Sequence, residues 1–318
     1  MFDPIGSQPP VSHEAAVRRP VLGVDIGGAG VKVAALCDGV VLWTTKRGYR
    51  KPAVDDLIHA IRDALKGRET NFAGVGLCVP GLLDERRTRV TFSVNVPALQ
   101  EISLDDLAYE SLGRRPDSLC IANDSVASGY DIHATRNLPG RLLVLALGTG
   151  VGAAVLDDGV ALKVDGDSPG HVGQFDVGVE GDPLRGPDGG AGSLEGYIGA
   201  PALRHRYGSD PASKIRPGDS PIRALAKAIR ICHAIYRPHH VILAGGLGIR
   251  LGRLLHPLRQ MIEKDLSSIA RPGWTLNVGD SDFHAACGAA RLAENYDRRN
   301  ARTLYGESSA SHSHKKIS

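Results

Sequence analysis

The feature that most constrains the fold is one pattern that occurs in two distant parts of the chain. Residues 21–42 (VLGVDIGGAGVKVAALCDGVVL) contain a β-rich run, a glycine turn, a second β-rich run, an Asp-Gly turn and a third run. Residues 142–162 (LLVLALGTGVGAAVLDDGVAL) follow the same order. An Asp-Gly pair between such runs is a strong signal for a two-residue hairpin loop. Because the period is too long for stacked repeats, the pattern predicts two homologous domains.

The segments after each copy alternate between strand and helix patterns. After the second copy, a helix is predicted to open with Ser220 as its cap and Pro221 at its first position. A strand over 241–248 is predicted to end in a glycine turn. After the first copy, the predicted elements are helices over 55–65 and 103–112 and strands over 72–81 and 118–125. The alternation predicts an α/β protein with mixed sheets covered by helices and with ligands at the polar, glycine-rich strand ends.

These patterns also predict how the chain divides into domains. The termini are rich in Pro, Ser and charged residues, which is typical of loose tails. The predicted division is a flexible tail over 1–18, an N-terminal domain over 19–128, a C-terminal domain over 129–284, a helix over about 285–298 that packs back on the first domain, and a flexible tail over 299–318.

Composition excludes several classes of protein. The chain is 42% hydrophobic and 23% charged, and no apolar run approaches the ~18–20 residues of a membrane helix. The N-terminus lacks the apolar core of a secretory signal. The net charge of +3 is too small to imply nucleic acid, and the five cysteines are scattered without a CxxC pair. We therefore expect a cytoplasmic protein with reduced thiols and with neither a membrane nor a nucleic-acid partner.

The two glycine turns suggest that the protein binds phosphate. A hairpin tip made of glycines can point several backbone N–H groups at one anion without a Cβ in the way. Asp25 precedes the first turn and could hold Mg²⁺ through water, while Thr149 adds a hydroxyl to the second. Neither turn is a Walker loop or a dinucleotide fingerprint. Either turn alone could be merely a tight turn, but the match between the halves favours an anion site.

Two further polar segments suggest an acceptor site. Asp124 follows Asn123 at the end of a predicted strand, where its carboxylate could accept a hydroxyl proton during attack on phosphorus. Asn95 both donates and accepts hydrogen bonds, which suits a polyol. The alternative is that Asn123 and Asp124 form only a turn or a helix cap.

The motifs VDIGGAGVK, CVPGLLD, SVNVP, ANDSVAS, LGTGVGAAV, LAGGLG and ACGAARLAE occur in this order over about residues 20–295. In this order they resemble the ROK family of bacterial sugar kinases, within the actin-like, hexokinase-like ATPases. The resemblance implies two duplicated actin-like (ribonuclease H-like) domains that close on a cleft. It also implies ATP- and Mg²⁺-dependent phosphorylation of a hexose or amino-sugar hydroxyl, as in a glucokinase.

The resemblance assigns roles to matching residues. It implies Asp124 as the catalytic base and Asn95, Asn123 and Glu195 as sugar contacts. The residues implied to contact the nucleotide and its phosphates are Asp25, Gly27, Gly28, Lys32, Gly148, Thr149, Gly150, Gly152, Gly245 and Gly246. A DNA-binding repressor of this family carries a helix-turn-helix before the first motif, and Asp25 comes too early for one.

The segment SPGHVGQFDVGVEGDPLRGPDGGAGSLEGYIG departs from the family pattern. His171 stands where the family has a sugar-binding Glu, and Gln174 stands at its zinc-binding His. Gly186, Asp188 and Ser193 stand at the three zinc cysteines. Because zinc requires N or S donors in a tetrahedron, we predict no structural zinc. We expect hydrogen bonds to keep the loop in place, with Asp188 or Ser193 capping backbone amides.

The changed pocket bears on the choice of sugar. A neutral imidazole offers one donor and one acceptor, whereas a carboxylate accepts several hydroxyl hydrogen bonds. His171 and Gln174 are taken as sugar contacts beside Glu195. We therefore do not expect glucose to be recognised in the family's standard manner, and a different hexose or hexose derivative is our hypothesis.

Three alternatives stay open. One is a non-catalytic sugar or nucleotide sensor that keeps the cleft. Another is polyphosphate as the phosphoryl donor, drawn by Arg86, Arg87 and Arg89, although these arginines could equally form a solvated turn. The third concerns assembly, because relatives form dimers and the resemblance leaves a homodimer open.

Overall fold

The computed structural model describes residues 19–68, 71–164 and 168–306, with side chains as far as Asn295. The predicted tail over 1–18 and residues 307–318 of the predicted tail over 299–318 lie outside the described residues, whereas residues 299–306 of the second tail are helical.

The first half of the chain forms a five-stranded mixed sheet with the order β3-β2-β1-β4-β7. The first three strands are antiparallel, and β4 and β7 run parallel to β1. A separate small hairpin is formed by β5 and β6. The strands are β1 (Val21–Gly27), β2 (Gly30–Cys37), β3 (Val40–Gly48), β4 (Gly74–Val79), β5 (Leu82–Leu83), β6 (Val90–Phe92) and β7 (Leu119–Asn123).

The second half repeats this sheet, with the order β10-β9-β8-β11-β12 and the same pattern of antiparallel and parallel pairs. Both Asp-Gly pairs form tight turns with positive φ, at 48° and 77° in the first half and 44° and 82° in the second. The predicted duplication is confirmed. The strands are β8 (Arg141–Leu147), β9 (Val151–Asp157), β10 (Val160–Ala161), β11 (His240–Ala244) and β12 (Thr275–Val278).

Helices cover the sheets, as the alternation predicted. The α-helices are α1 (Val54–Leu65), α2 (Leu104–Leu112), α3 (Asp124–Arg136), α4 (Leu194–Ile198), α5 (Ala200–Tyr207), α6 (Pro211–Lys214), α7 (Ser220–Tyr236), α8 (Gly245–Arg250), α9 (Leu255–Lys264) and α10 (His284–Gly306), and 3₁₀ turns cover Pro97–Gln100, Val172–Gln174 and Gly252–Leu254.

Two predicted element ends were wrong. Asp219, not Ser220, occupies the cap position of α7, and Ser220 is its first helical residue. The Asp219 carboxylate accepts a hydrogen bond from the Arg216 backbone N–H at 2.9 Å, so it closes the preceding turn instead of capping the helix. Gly245 and Gly246 do not form a turn but begin α8 directly, with Gly245 at a φ of 75°. A left-handed first residue lets the chain leave β11 and enter the helix at once.

Helix α10, from the end of the chain, packs on the first sheet against β1, β2 and β4. Gly23 and Gly76 permit this approach, because a Cβ at either position would overlap a backbone carbonyl oxygen of α10. A Cβ on Gly288 of α10 would likewise overlap the carbonyl oxygen of Ala127 on α3. Helix α3 therefore lies between α10 and strands β8 and β9 of the second sheet, and the predicted boundary between 128 and 129 falls within it.

Among the described residues, no helix is both long enough and apolar enough to cross a membrane.

Candidate active site

A cavity of about 1490 Å³ opens where the strand ends of the two sheets meet. Typical small-molecule pockets measure about 300–1,000 Å³, so this cleft has room for more than one small ligand. Every residue that the sequence predicted for the site lines it: Asp25, Gly27, Gly28, Lys32, Asn95, Asn123, Asp124, Gly148, Thr149, Gly150, Gly152, His171, Gln174, Glu195, Gly245 and Gly246.

The tips of the two homologous hairpins face each other in this cleft. A Cβ built on Gly28, in the β1–β2 tip, would lie 3.0 Å from both Oγ1 and Cγ2 of Thr149, in the β8–β9 tip. The Tyr49 hydroxyl holds the first tip by donating to the Gly27 carbonyl oxygen at 2.6 Å. The second tip is closed by a hydrogen bond from Gly148 N to Gly150 O at 3.0 Å. The two tips therefore meet across one gap.

Asp25 lies near the end of β1, two residues before Gly27, and its carboxylate is only 7% exposed. Burial raises its pKa to about 7, against the opposing charge of Lys32. The Lys32 ammonium lies 3.8 Å from Asp25 Oδ2, and within the described part of the chain no hydrogen-bond donor is in range of this carboxylate. A buried carboxylate that faces a cleft with unsatisfied oxygens suits Mg²⁺, which binds one or two carboxylates and keeps several waters.

Asp124 is the first residue of α3, so its carboxylate lies at the positive end of a helix. Its Oδ1 accepts a hydrogen bond from the backbone N–H of Ser125 at 2.7 Å. Burial raises the pKa of Asp124, and the hydrogen bond from Ser125 opposes this rise. The Asn123 carboxamide oxygen caps the helix by accepting from Ser125 N at 3.1 Å and from its hydroxyl. The capping role foreseen as an alternative is therefore present, and it leaves the Asn123 NH₂ group for a ligand.

The side chains of Asn95 and Glu195 both lie close to Gly150. A Cβ at Gly150 would lie 2.9 Å from Asn95 Nδ2 and 2.8 Å from Glu195 Oε2. The backbone N–H of Val151 donates to Glu195 Oε2 at 2.9 Å, and burial raises the pKa of Glu195. A Cβ at Gly152 would lie 3.4 Å from Asp124 Oδ1. The second hairpin tip thus brings a carboxamide, a carboxylate and Asp124 close together.

His171 and Gln174 also line the cleft, but their side chains are exposed. His171 directly precedes the short 3₁₀ turn Val172–Gln174, and Gln174 is the last residue of that turn. The Gln174 Oε1 atom lies 3.9 Å from a Cβ built on Gly190, so Gln174 borders the loop that follows. Both residues form part of the rim of the cleft.

That loop, residues 176–193, is held by hydrogen bonds. Backbone bonds join Gly186 N to Gly190 O at 2.7 Å and Gly192 N to Leu184 O at 2.9 Å. The predicted capping roles are confirmed, because Asp188 Oδ1 accepts from Gly190 N at 3.3 Å, and Ser193 Oγ accepts from Gly196 N at 3.2 Å at the start of α4. The absence of zinc from this loop stays a prediction.

Sequence reasoning missed Asp282, which also lines the cleft. It lies in the loop between β12 and α10, and its Oδ1 accepts a hydrogen bond from Lys32 Nζ at 2.9 Å. A Cβ on Gly246 would lie 3.2 Å from the same oxygen. The only local signal is an acid between a strand and a helix, which is common in loops.

A buried ionic cluster beside the cleft was missed as well. His284 Nδ1 lies 2.7 Å from Asp131 Oδ2, and Arg291 Nε donates to Asp131 Oδ1 at 2.7 Å. His284 Nε2 lies 2.9 Å from Asp280 Oδ1. The cluster joins α10 to α3, the helix that begins with Asp124.

Two homologous α/β halves enclose this cleft, and the fold is similar to that of solved sugar kinases. The ROK family model matches residues 21–296, and the chain belongs to the ROK family.

Several of its relatives and structural neighbours carry kinase names. The chain is 26% identical to a glucokinase of Thermotoga maritima over 280 residues, which is 76% of this chain and 86% of that protein. It is 25% identical to an N-acetyl-D-glucosamine kinase of Erwinia tasmaniensis over 304 residues, covering 85% and 98% of the two chains. The fold is similar to that of a ROK family glucokinase from Streptomyces griseus in complex with glucose and AMPPNP. That match has a TM-score of 0.69 and 21% identity, and covers 87% and 99% of the two chains.

Proposed function

We propose that the protein is an ATP-dependent carbohydrate kinase that transfers the γ-phosphoryl group to a hydroxyl of a hexose or hexose derivative. The observation that carries the proposal is the convergence of the glycine tips at Gly28 and Thr149 in one cleft with the buried carboxylate of Asp25 and the half-buried carboxylate of Asp124. The glucokinase and N-acetylglucosamine kinase names of the relatives support it.

In this proposal the backbone N–H groups of the two tips bind the donor phosphates, and Lys32 adds a positive charge. Bare glycine backbone can approach phosphate oxygens closely, which a Cβ would prevent. Asp25 would hold Mg²⁺ through water, and the ion would neutralise charge on the phosphates. Gly245 and Gly246, at the start of α8, would border the nucleoside.

Asp124 acts as the general base. The Ser125 N–H fixes its Oδ1, which leaves Oδ2 to accept the proton of the sugar hydroxyl. The hydroxyl oxygen forms a bond to the γ-phosphorus while the bond from that phosphorus to the bridging oxygen of ADP breaks. A pKa that burial has raised makes Asp124 a better proton acceptor than an exposed carboxylate.

The sugar binds among Asn95, Asn123 and Glu195, and the rim residues His171 and Gln174 set which substituents are accepted. Glu195 accepts hydroxyl hydrogen bonds, and Asn95 can both donate and accept. Closure of the two halves would exclude water, so that the sugar hydroxyl takes the phosphoryl group. In this proposal the sugar therefore binds deep in the cleft, next to Gly150.

The test is a coupled ADP-release assay over a panel of hexoses and N-acetylhexosamines, repeated with polyphosphate as donor and sugar-phosphate detection. Asp124→Asn should lower kcat by about 10²–10⁴-fold. The ATP affinity of this variant, measured by calorimetry, should stay within about threefold of wild type, because in this proposal Asp124 contacts the sugar hydroxyl and not the nucleotide. A tenfold change would correspond to about 1.4 kcal/mol. The matched control is Glu85→Gln, which removes an exposed carboxylate from the same cleft wall.

Full turnover in Asp124→Asn would remove Asp124 from its role. Tight sugar binding by the wild-type protein without turnover of any sugar would favour the alternative of a non-catalytic sensor.

A further inference from the structure

Lys32 lies between two carboxylates that come from distant parts of the chain. Its ammonium nitrogen is 2.9 Å from Asp282 Oδ1 and 3.8 Å from Asp25 Oδ2. Asp25 is its cross-strand neighbour on β1, whereas Asp282 reaches it from the loop before α10. The contact with Asp282 is a hydrogen bond, and the contact with Asp25 is only a longer ion pair.

The position of the ammonium group depends on this balance. A lysine head is a compact charge on a flexible four-carbon stem, so it moves readily toward the nearest acceptor. Coulomb attraction grows as distance falls, so Lys32 would approach Asp25 if Asp282 no longer held it. A tight Lys32–Asp25 pair would occupy lone pairs on the carboxylate and add positive charge where a cation should bind.

We propose that Asp282 is a positioning residue, which holds the Lys32 ammonium away from Asp25 and so keeps the Asp25 carboxylate available to the divalent cation that accompanies the nucleotide. This inference rests on the proposed kinase function. Asp282 also lies against Gly246, so one carboxylate connects the phosphate hairpin of the first half with the start of α8 in the second.

A simple charge argument predicts a change of the same sign for loss of Asp282. Removal of a negative charge near the cation should by itself weaken cation binding, whether or not Lys32 is present. The positioning role predicts a loss that depends on the Lys32 ammonium. The comparison of the two lysine backgrounds therefore separates the two explanations.

The experiment compares the wild-type protein with Asp282→Asn, Lys32→Met and the double variant. Binding of Mn²⁺ is measured by electron paramagnetic resonance with ADP present, so that the readout does not depend on turnover. Asp282→Asn should weaken Mn²⁺ binding by about 10–100-fold, the usual effect of losing a residue that supports a metal ligand. In the Lys32→Met background the same substitution should change the Mn²⁺ affinity less than twofold, since no ammonium is left to approach Asp25.

Two controls complete the set. Glu85→Gln removes a carboxylate from the same cleft without touching Lys32, and gives the size of a pure charge effect. Asp282→Glu keeps the charge and should retain Mn²⁺ affinity to within about threefold. The Asp282 side chain is 33% exposed, so its substitution does not open the core, and unchanged thermal melting would verify this.

Unchanged or tighter Mn²⁺ binding in Asp282→Asn would overturn the proposal. Equal weakening in both lysine backgrounds would also overturn it, because Asp282 would then act on the cation directly. Absence of turnover by the wild-type protein on every sugar would remove the kinase function, while the binding comparison would still decide the role of Asp282.

Discussion

His233 should make the second domain sensitive to acid. It lies on α7 with no exposed surface, and its ring meets that of Trp274 edge-on at a centroid distance of 4.5 Å. Within the described residues, neither ring nitrogen has a hydrogen-bond partner. Burial without a partner lowers the pKa of His233 to about 4, because the charged imidazolium is excluded from the core.

The size and sign of the effect follow from this pKa. An unfolded histidine titrates near 6.5, so folding lowers the pKa of His233 by about 2.5 units, or about 3 kcal/mol at 1.36 kcal/mol per unit. The unfolded chain therefore binds the proton more readily than the folded one. The stability that depends on neutral His233 is complete above about pH 6.5 and is lost as the pH falls toward 4.

The measurement is urea unfolding between pH 7 and pH 4, followed by Trp274 fluorescence. Trp43 and Trp274 are the two tryptophans of the chain, so Trp43→Phe makes the signal specific to the second domain. His233→Phe keeps a ring but cannot take the proton, and should lose about 3 kcal/mol less unfolding free energy than the parent over this range. It should also be somewhat more stable at pH 7, because two unpaired buried nitrogens are gone.

The control is His205→Leu, which removes an exposed histidine on α5 and should keep the acid slope of the parent. Parallel curves of unfolding free energy against pH for the parent and His233→Phe would refute the reasoning. They would mean that His233 binds its proton equally well in the folded and unfolded states.

Two further substitutions test packing and sugar binding. Gly288→Ala should destabilise the protein by about 3 kcal/mol, the upper part of the range for overpacked cores, because the new methyl group overlaps the Ala127 carbonyl oxygen. Thermal melting measures this loss, and a melting temperature within 1–2 °C of wild type would contradict it. Glu195→Gln should raise the KM for sugar about tenfold or more and should change the KM for ATP little. In the proposed site Glu195 makes charge-assisted hydrogen bonds to the sugar only, and the substitution weakens them. Equal changes in both KM values would contradict this placement of Glu195.

The fold was predictable because its main signals are local. Two-residue turns with positive φ require residues such as Asp and Gly, so Asp38-Gly39 and Asp158-Gly159 fix both hairpins from sequence alone. The same holds for Ser103, whose hydroxyl oxygen accepts from Asp106 N at 3.1 Å at the start of α2. Signals of this kind depend on three or four neighbouring residues and do not need the tertiary structure.

The two wrong element ends, at α7 and α8, lie where contacts outside the local motif decide which residue begins the helix. Asp219 and Ser220 are both good cap residues, and the choice between them depends on the bond that Asp219 makes to Arg216. At Gly245 φ is 75° and a Cβ would lie 2.5 Å from the Leu147 carbonyl oxygen, so the glycine is required by the adjacent strand β8 as well as by the local backbone. The sequence marked the position correctly, but the neighbour that requires a glycine there is distant in the chain.

The residues that were missed show what completes the site. Asp282 contacts Lys32 and His284 contacts Asp131, and these pairs are separated by 250 and 153 positions in the chain. Both residues lie at the start of α10, so this one segment meets the hairpin that carries Asp25 and the helix that begins with Asp124. The two glycine tips, at Gly28 and Thr149, are therefore not enough to build the cleft. The cleft becomes complete only when α10 has packed on the first sheet. The last described helix thus helps to position residues near the beginning of the chain.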